Sequence, residues 1–463
     1  MSAEGLAACE EKMRAAGVPD VAIATFRHYY RQLEAGETGM IAEAEIAPVE
    51  DLPSSDALPE PADGARDALD RAVVVKLNGG LGTSMGMTRA KSLLPVKDGL
   101  TFLDIVARQV LELRGRHGAR LPLVLMNSFY TRDDSLEALR RHSGVEADVP
   151  LDFVQNKEPK IRVDDLMPAE WPPDPELEWC PPGHGDLYTA LVTSGMLEAL
   201  LDRGYEYAFV SNSDNLGAVL DPRILSWFAA ESVPFLMEAA DRTEADRKGG
   251  HLAVRQPDGQ LVLREIAQTP DEDRDAFQDV ARHRYFNTNT LWVSLSALAD
   301  VLARRDNVLG LPMIVNRKTV DPGDPSSPSV YQLETAMGAA ISVFEGARAV
   351  RVPRERFATV KTTNDLLALR SDAYELTEDF HVVLSPRRGG KAPYVDLDPE
   401  HYKLVDDFEA RFPAGPPSLV ECERFVVEGD VVFGAGVVAR GEVVVRAAGG
   451  GQLRIEDGTV LEG

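Results

Sequence analysis

One junction narrows the fold more than any other feature. The β-branched run Val73-Val74-Val75-Lys76-Leu77 passes directly into Asn78-Gly79-Gly80-Leu81-Gly82-Thr83-Ser84-Met85-Gly86. Glycines at the end of a strand let backbone approach phosphate oxygens and turn its N–H groups toward them. The loop is not a Walker A motif, because no Gly-Lys-Ser/Thr follows at the required distance. Nor is it a dinucleotide fingerprint: Gly80, Gly82 and Gly86 give G-x-G-x-x-x-G, one residue too long. On the glycines alone, a purely structural turn is the alternative. Lys91, in Arg89-Ala90-Lys91-Ser92, adds the cation that a bound triphosphate needs.

The pattern after the loop alternates. Thr101-Phe102-Leu103-Asp104 has capping-box chemistry and opens a helix whose apolar face is Phe102, Ile105, Val106, Gln109 and Leu113. Strands are predicted over 121–126, 151–154 and 207–211, and helices over 135–141 and 187–201. This βαβα order implies an α/β fold with a mixed, mostly parallel sheet and helices on both faces. Between about 233 and 293 strands predominate, with a hairpin at Asp258-Gly259. Helices are predicted again over 331–341 and 364–376.

The two ends differ from this centre. Residues 3–34 place Val21, Ile23, Phe26, Tyr29 and Tyr30 at helical spacing. An acidic connector with Pro48, Pro53, Pro59 and Pro61 follows. Near the C-terminus, short β-branched doublets (Val426-Val427, Val431-Val432, Val443-Val444) alternate with glycine and polar residues at roughly hexapeptide spacing. Stacked short strands of a β-helix would give this pattern, and a small antiparallel appendage is the alternative. The expected division is a helical N-terminal region and connector over 1–70, a catalytic α/β domain over 71–380, and a C-terminal domain over 381–463.

Charge restricts the partners. Across 463 residues, 49 Lys and Arg face 75 Asp and Glu, a net charge of −26. That excess argues against a nucleic-acid-coating or membrane-surface protein. An anionic substrate would need a local cluster of cations to overcome it. The cysteines Cys9, Cys180 and Cys422 stand far apart with no C-x-x-C pair, as expected of reduced thiols. The opening Met1-Ser2-Ala3-Glu4 shows no basic or apolar leader, and no apolar run reaches transmembrane length. These features predict a soluble cytoplasmic protein.

Four further segments carry side chains suited to chemistry. In Cys180-Pro181-Pro182-Gly183-His184-Gly185-Asp186, prolines stiffen the loop and glycines bracket His184, so the ring is presented rather than packed. Ser211-Asn212-Ser213-Asp214-Asn215 lies at the carboxyl end of a buried strand, where open α/β sheets bind ligands. Asp214 suits Mg²⁺ held by one carboxylate plus substrate phosphates, and an Asx-type turn is the alternative. Asn287 and Asn289, alternating in Phe286-Asn287-Thr288-Asn289-Thr290, would face one side of an extended segment and bond sugar hydroxyls. Lys361 precedes a helix start capped by Thr363 or Asn364, which together make a phosphate site; a solvated lysine is the alternative.

Taken in order, the segments LNGGLGTSMG, KSLLPV, TFLDIVARQV, PLVLMNSF, PPGHGDLY, FVSNSDNLGA, KGGHL, EIAQ, FNTNTLWV, QLETAMGAAI and FATVKTTNDLL resemble the UDP-glucose pyrophosphorylases of the eukaryotic-type UDPGP family. The resemblance runs from about Val74 to Leu367. It implies a Rossmann-like nucleotidyltransferase domain, a helical N-terminal region and a C-terminal left-handed β-helix through which the chain would form homo-oligomers. It further implies that Leu77, Asn78, Gly79 and Gly80 cradle UTP with Lys91 on its phosphates. Gln155 and the backbone of Gly183 would recognise uracil. His184, Asn212, Glu265, Asn287 and Asn289 would surround glucose 1-phosphate, Asp214 would hold Mg²⁺, and Lys361 would act at the reacting centre.

The implied reaction is attack by the phosphate of glucose 1-phosphate on the α-phosphorus of UTP, with pyrophosphate leaving. That nucleophile is already ionised, which fits the absence of a convincing Ser/His/Asp or paired-carboxylate site. Other sugar 1-phosphates, such as galactose 1-phosphate or N-acetylglucosamine 1-phosphate, are the alternative substrates. A non-catalytic sugar-nucleotide-binding protein is the alternative of another kind. Two departures from the family pattern stand out: Thr88-Arg89-Ala90 replaces a lysine and a glycine-proline pair, and Thr290 replaces an asparagine.

Overall fold

The computed structural model describes residues 2–61, 65–256, 258–447, 449 and 451–463. Two helices, α1 (Ser2–Ala15) and α2 (Asp20–Glu34), open the chain. Met13, Ile23, Phe26 and Tyr30 form a small core with Ile161, Met313 and Leu333 of the main body. The connector crosses the surface and contributes the short strand Ile46–Pro48 to the central sheet, paired with His251–Arg255.

The central sheet has ten strands and is mixed. Its main parallel part consists of β1 (Ala72–Asn78), β2 (Leu123–Asn127), β3 (Asp152–Val154) and β4 (Tyr207–Asn212), in the order β4-β1-β2-β3. Antiparallel strands adjoin it: β5 (Phe235–Asp241) and β6 (Tyr285–Ser294) pair with one another, and β6 also pairs with β4. The remaining strands are Ile46–Pro48, His251–Arg255, Leu261–Arg264 and Arg348–Arg351, the last parallel to β5. The period-2 alternation of β1 sends Val73 and Val75 to one face, with Val124, Met126 and Val210. Val74 goes to the other, with Leu123, Leu125 and Phe209. Both faces are therefore dry, and only the strand ends can present polar groups.

The capping box at Thr101 and Asp104 forms as expected and starts α3 (Phe102–His117), whose predicted apolar face is buried. The hairpin at Gly259 joins His251–Arg255 to Leu261–Arg264. Other elements depart from expectation. The helix expected over 187–201 is two, Leu187–Thr193 and Met196–Asp202, because Gly195 takes a left-handed φ of 72° and Ser194 Oγ bonds back to the Ala190 carbonyl. Instead of a helix over 331–341 there is a strand, Ser329–Thr335, then a 3-10 turn, Met337–Ser342. The apolar residues there are buried from several sides, which blurs their period. The helix after Lys361 ends at Arg370, and Tyr374–Leu376 is a strand. Its N-cap is Thr362, in a capping box with Asp365, and not Thr363 or Asn364.

The C-terminal strands are parallel, which rules out the antiparallel appendage. Phe425 lies opposite Val443, Val431 opposite Leu453, and Val438 opposite Val460. Phe425, Val431 and Phe433 belong to the same continuous apolar cluster as Leu366, Leu369 and Trp292. Phe433 stacks on Phe412 with centroids 5.0 Å apart, and the Tyr402 hydroxyl donates to the Val431 carbonyl at 2.6 Å. A shared core predicts shared unfolding. Phe433→Ala should destabilise the chain by about 3–5 kcal/mol. In a urea titration followed by both circular dichroism and tryptophan fluorescence, both signals should move together to a lower midpoint. A separate early transition would show the C-terminal strands melting alone.

Candidate functional site

β1 and β4 are parallel neighbours in a register that sets Leu77 opposite Asn212, so both polar loops leave the sheet at the same end. The glycine loop folds back on itself there. The Lys91 N–H donates to the Gly80 carbonyl at 3.0 Å, and Ser128 Oγ donates to the Gly79 carbonyl at 3.0 Å. Gly79 faces Gln155 so closely that a Cβ would come within 2.9 Å of Oε1. Four of the residues expected around a nucleotide, Gly79, Gly80, Lys91 and Gln155, thus meet. Asn78 differs in detail: its amide donates to Asn127 Oδ1 and Ser135 Oγ, each at 2.8 Å, so the side-chain amide fastens β1 to β2 rather than facing a ligand.

Across the loop, Lys91 Nζ stands 2.6 Å from Asp214 Oδ2, both partly buried. A lysine expected on phosphates and a carboxylate expected on a cation neutralise one another. Asn212 is half-buried just before them. Among the described residues no group of three or more His, Cys, Asp or Glu side chains could cage a metal. A single half-open carboxylate fits Mg²⁺, which keeps waters and takes substrate phosphates as ligands. Arg89 is exposed near Lys91 in sequence.

The His184 loop closes a second side. Gly183 has φ 79°, and a Cβ there would sit 2.6 Å from the Thr335 carbonyl oxygen. The buried Asp186 carboxylate accepts from the Asn156 backbone N–H at 2.6 Å and from its amide at 2.8 Å, tying the loop to the residue after Gln155. His184 Nδ1 accepts from the Met337 N–H at 3.1 Å, which requires an unprotonated nitrogen. The surrounding protein disfavours the charged ring and lowers its pKa to about 4, so His184 is a neutral donor through Nε2.

The third side holds Glu265, Asn287, Asn289 and Lys361. The two asparagines do not share a face through strand alternation. β5 and β6 slip register between Glu238 and Ala239, and Asn289 adopts a left-handed φ of 55°. Hydrogen bonds bring the pair together instead: Asn287 Nδ2 donates to Asn289 Oδ1 at 2.8 Å, and the Asn289 N–H donates to Asn287 Oδ1 at 2.9 Å. Thr290 is fully buried, and its Oγ1 has no hydrogen-bond partner among the described residues. Burial raises the Glu265 pKa while Lys361 pulls it down, which sets the two charges near one another. Lys361 is exposed, with its ammonium 5.8 Å from the centre of the Phe357 ring.

Buried groups beneath the site escape sequence reasoning. Lys76 donates to Ser211 Oγ and the Ala218 carbonyl, each at 2.7 Å, and burial lowers its pKa to about 7. Glu238 and Arg356 form an ion pair at 2.7 Å. A charge inside the apolar run Phe235-Leu236-Met237-Glu238-Ala239-Ala240 was the available signal, since a buried carboxylate demands a partner.

The family described as UTP–glucose-1-phosphate uridylyltransferase matches residues 23–440. The UTP–glucose-1-phosphate uridylyltransferase of Solanum tuberosum is 42% identical over 395 residues, covering 85% of this chain and 80% of that protein. The Saccharomyces cerevisiae protein of the same name is 41% identical, covering 85% and 77%. Among solved structures, a point mutant of UDP-glucose pyrophosphorylase from Leishmania major in complex with UDP-glucose superposes with a TM-score of 0.92 at 48% identity, covering 99% of this chain and 98% of that one. UDP-glucose phosphorylase from Trypanosoma brucei gives 0.90 at 48%, with coverage of 99% and 98%. Among the described residues no helix is long and apolar enough to cross a membrane. With the glycine loop, the His184 loop and the Asn287–Asn289 pair converging at one end of the sheet, and relatives this similar over most of their length, the chain belongs to the UTP–glucose-1-phosphate uridylyltransferase family.

Proposed function

We propose that this chain transfers a uridylyl group from UTP to α-D-glucose 1-phosphate, giving UDP-glucose and pyrophosphate. The observation that carries the reading is the Lys91–Asp214 pair, 2.6 Å apart beside the glycine loop. It sets a phosphate-seeking cation and a metal-seeking carboxylate where the triphosphate of a nucleotide in that loop would lie. Backbone from Leu77 to Gly80 lines the nucleotide, Gln155 and Gly183 read the uracil, and Lys91 meets the phosphates. His184, Asn212, Glu265, Asn287 and Asn289 hold glucose 1-phosphate. The asparagine amides and the neutral histidine offer donors and acceptors matched to sugar hydroxyls.

A phosphate oxygen of glucose 1-phosphate forms a bond to the α-phosphorus of UTP, and the bond from that phosphorus to the bridging oxygen of pyrophosphate breaks. No proton is abstracted, so no side chain acts as general base. The chain orients two anions and offsets their repulsion with Lys91 and Lys361. Asp214 would hold Mg²⁺, whose charge, when bound, further neutralises the triphosphate. The parallel C-terminal strands are read as rungs of a left-handed β-helix available for self-association, the chain as dividing at 70 and 380, and the enzyme as cytoplasmic.

Pyrophosphate release from UTP plus glucose 1-phosphate, run beside galactose 1-phosphate and N-acetylglucosamine 1-phosphate, tests the reaction. Fast release only with one of the other sugars would reassign the substrate, because a pocket built to hydrogen-bond hydroxyls rejects analogues strongly. Asp214→Asn should reduce turnover by orders of magnitude with an unchanged melting temperature; near-normal turnover at saturating Mg²⁺ would place the metal elsewhere. Lys361→Ala should lower kcat roughly a hundredfold, as losing one preorganised charge contact does elsewhere. The change in KM for UTP should be smaller. Weakened UTP binding with intact kcat would make Lys361 a ground-state anchor and shift the catalytic role to Lys91.

A further inference from the structure

The segment 354–361 has no regular structure beyond one 3-10 turn, Arg354–Arg356, yet it delivers Lys361 to the site. Such a segment places a charge well only if something else holds it. Three independent anchors do so.

The first is Asn215, the residue after Asp214. Its Oδ1 accepts from the Ala358 N–H at 2.9 Å, and its Nδ2 donates to the Arg356 carbonyl at 3.1 Å. Asn215 and Thr359 also form an isolated antiparallel bridge. Gly217 lets the two segments close up: a Cβ there would overlap the Glu355 carbonyl oxygen and the Arg356 backbone.

The second is the Arg356 side chain. Its Nε and one terminal nitrogen each donate to Glu238 at 2.7 Å, and that terminal nitrogen also donates to the Val219 carbonyl at 2.8 Å. Glu238 is fully buried and also accepts from Trp292 Nε1 at 3.0 Å, while its carbonyl accepts from Thr288 Oγ1 at 2.7 Å. Glu238 sits where β5 and β6 slip register, the irregularity that gives Asn289 its left-handed backbone. The third anchor is Phe357, which packs edge-on against Phe286 at 4.8 Å and lies under the Lys361 ammonium.

We propose that Arg356 is a positioning residue for the uridylyl transfer: through its forked pairing with Glu238, and with Asn215 and Phe357, it fixes where Lys361 stands relative to Asp214 and to the Asn287–Asn289 pair. The inference rests on the reading of Lys361 as acting at the reacting centre. A planar fork held at two oxygens sets direction as well as distance, which a lysine in its place cannot do.

The test is a double-mutant cycle on the full chain, with kcat and KM for both substrates measured alongside thermal melts. Arg356→Lys should lower kcat roughly tenfold or more, since small misplacements of a reacting group are costly, with KM for UTP nearly unchanged. In a Lys361→Ala background the same change should cost less than about twofold, because the group being positioned is gone. Phe357→Leu, half-buried and similar in bulk, should behave alike and carries the test if Arg356→Lys does not fold. Equal losses on both backgrounds would overturn the inference and leave Arg356 a general support of the fold. If Lys361→Ala itself leaves kcat intact, the reading of Lys361 fails first, and the inference falls with it.

Discussion

The parallel register between Ala72–Asn78 and Tyr207–Asn212 is the constraint on which the site depends. Both strands are buried on both faces, so polar groups open to a ligand can stand only at their ends. Pairing Leu77 with Asn212 then makes the two carboxyl ends coincide, and the glycine loop and Asp214 emerge side by side. The Lys91–Asp214 contact follows from that register; shifting it by one residue would turn the side chains of a whole strand to the opposite layer.

Charge is handled by pairing on a local scale. The chain carries −26 overall, yet several cations near the site are matched to specific partners. Lys91 rests on Asp214, Arg356 on Glu238, and buried Lys76 on a hydroxyl and a carbonyl. Lys361 differs from these: it is exposed, with an aromatic ring beneath it and Glu265 nearby. Burial, by contrast, lowers the affinity of Lys76 for its proton.

Much of this was legible in the sequence because the informative features are local. The strand-glycine junction, the capping box at Thr101 and the stiffened loop around His184 depend on neighbours a few residues away. The C-terminal repeat announced parallel stacking through its doublets. What could not be read depends on distant partners. The 187–201 helix breaks because Gly195 can turn left-handed, a freedom that any glycine has and few use. The meeting of Asn287 and Asn289 depends on a slip against β5. Asn215 and Arg356 are more than a hundred residues apart, and only the fold shows that one holds the backbone of the other.

The connector, a mere tether in sequence, adds a strand to the sheet. Ile46–Pro48 pairs with His251–Arg255 as a three-residue outer strand bearing a proline, and Ser54 bridges to Arg351 on the strand beside β5. Glu43 locks this arrangement with Arg264 at 2.6 Å and Arg282 at 2.7 Å. At the far end, β3 is also three residues long, and its Asp152 is held by Arg132 at 2.8 Å. Short strands, a proline and charge at the margins are what keep open sheets from recruiting further strands. At these two margins the sheet can therefore resist pairing with another chain without closing into a barrel.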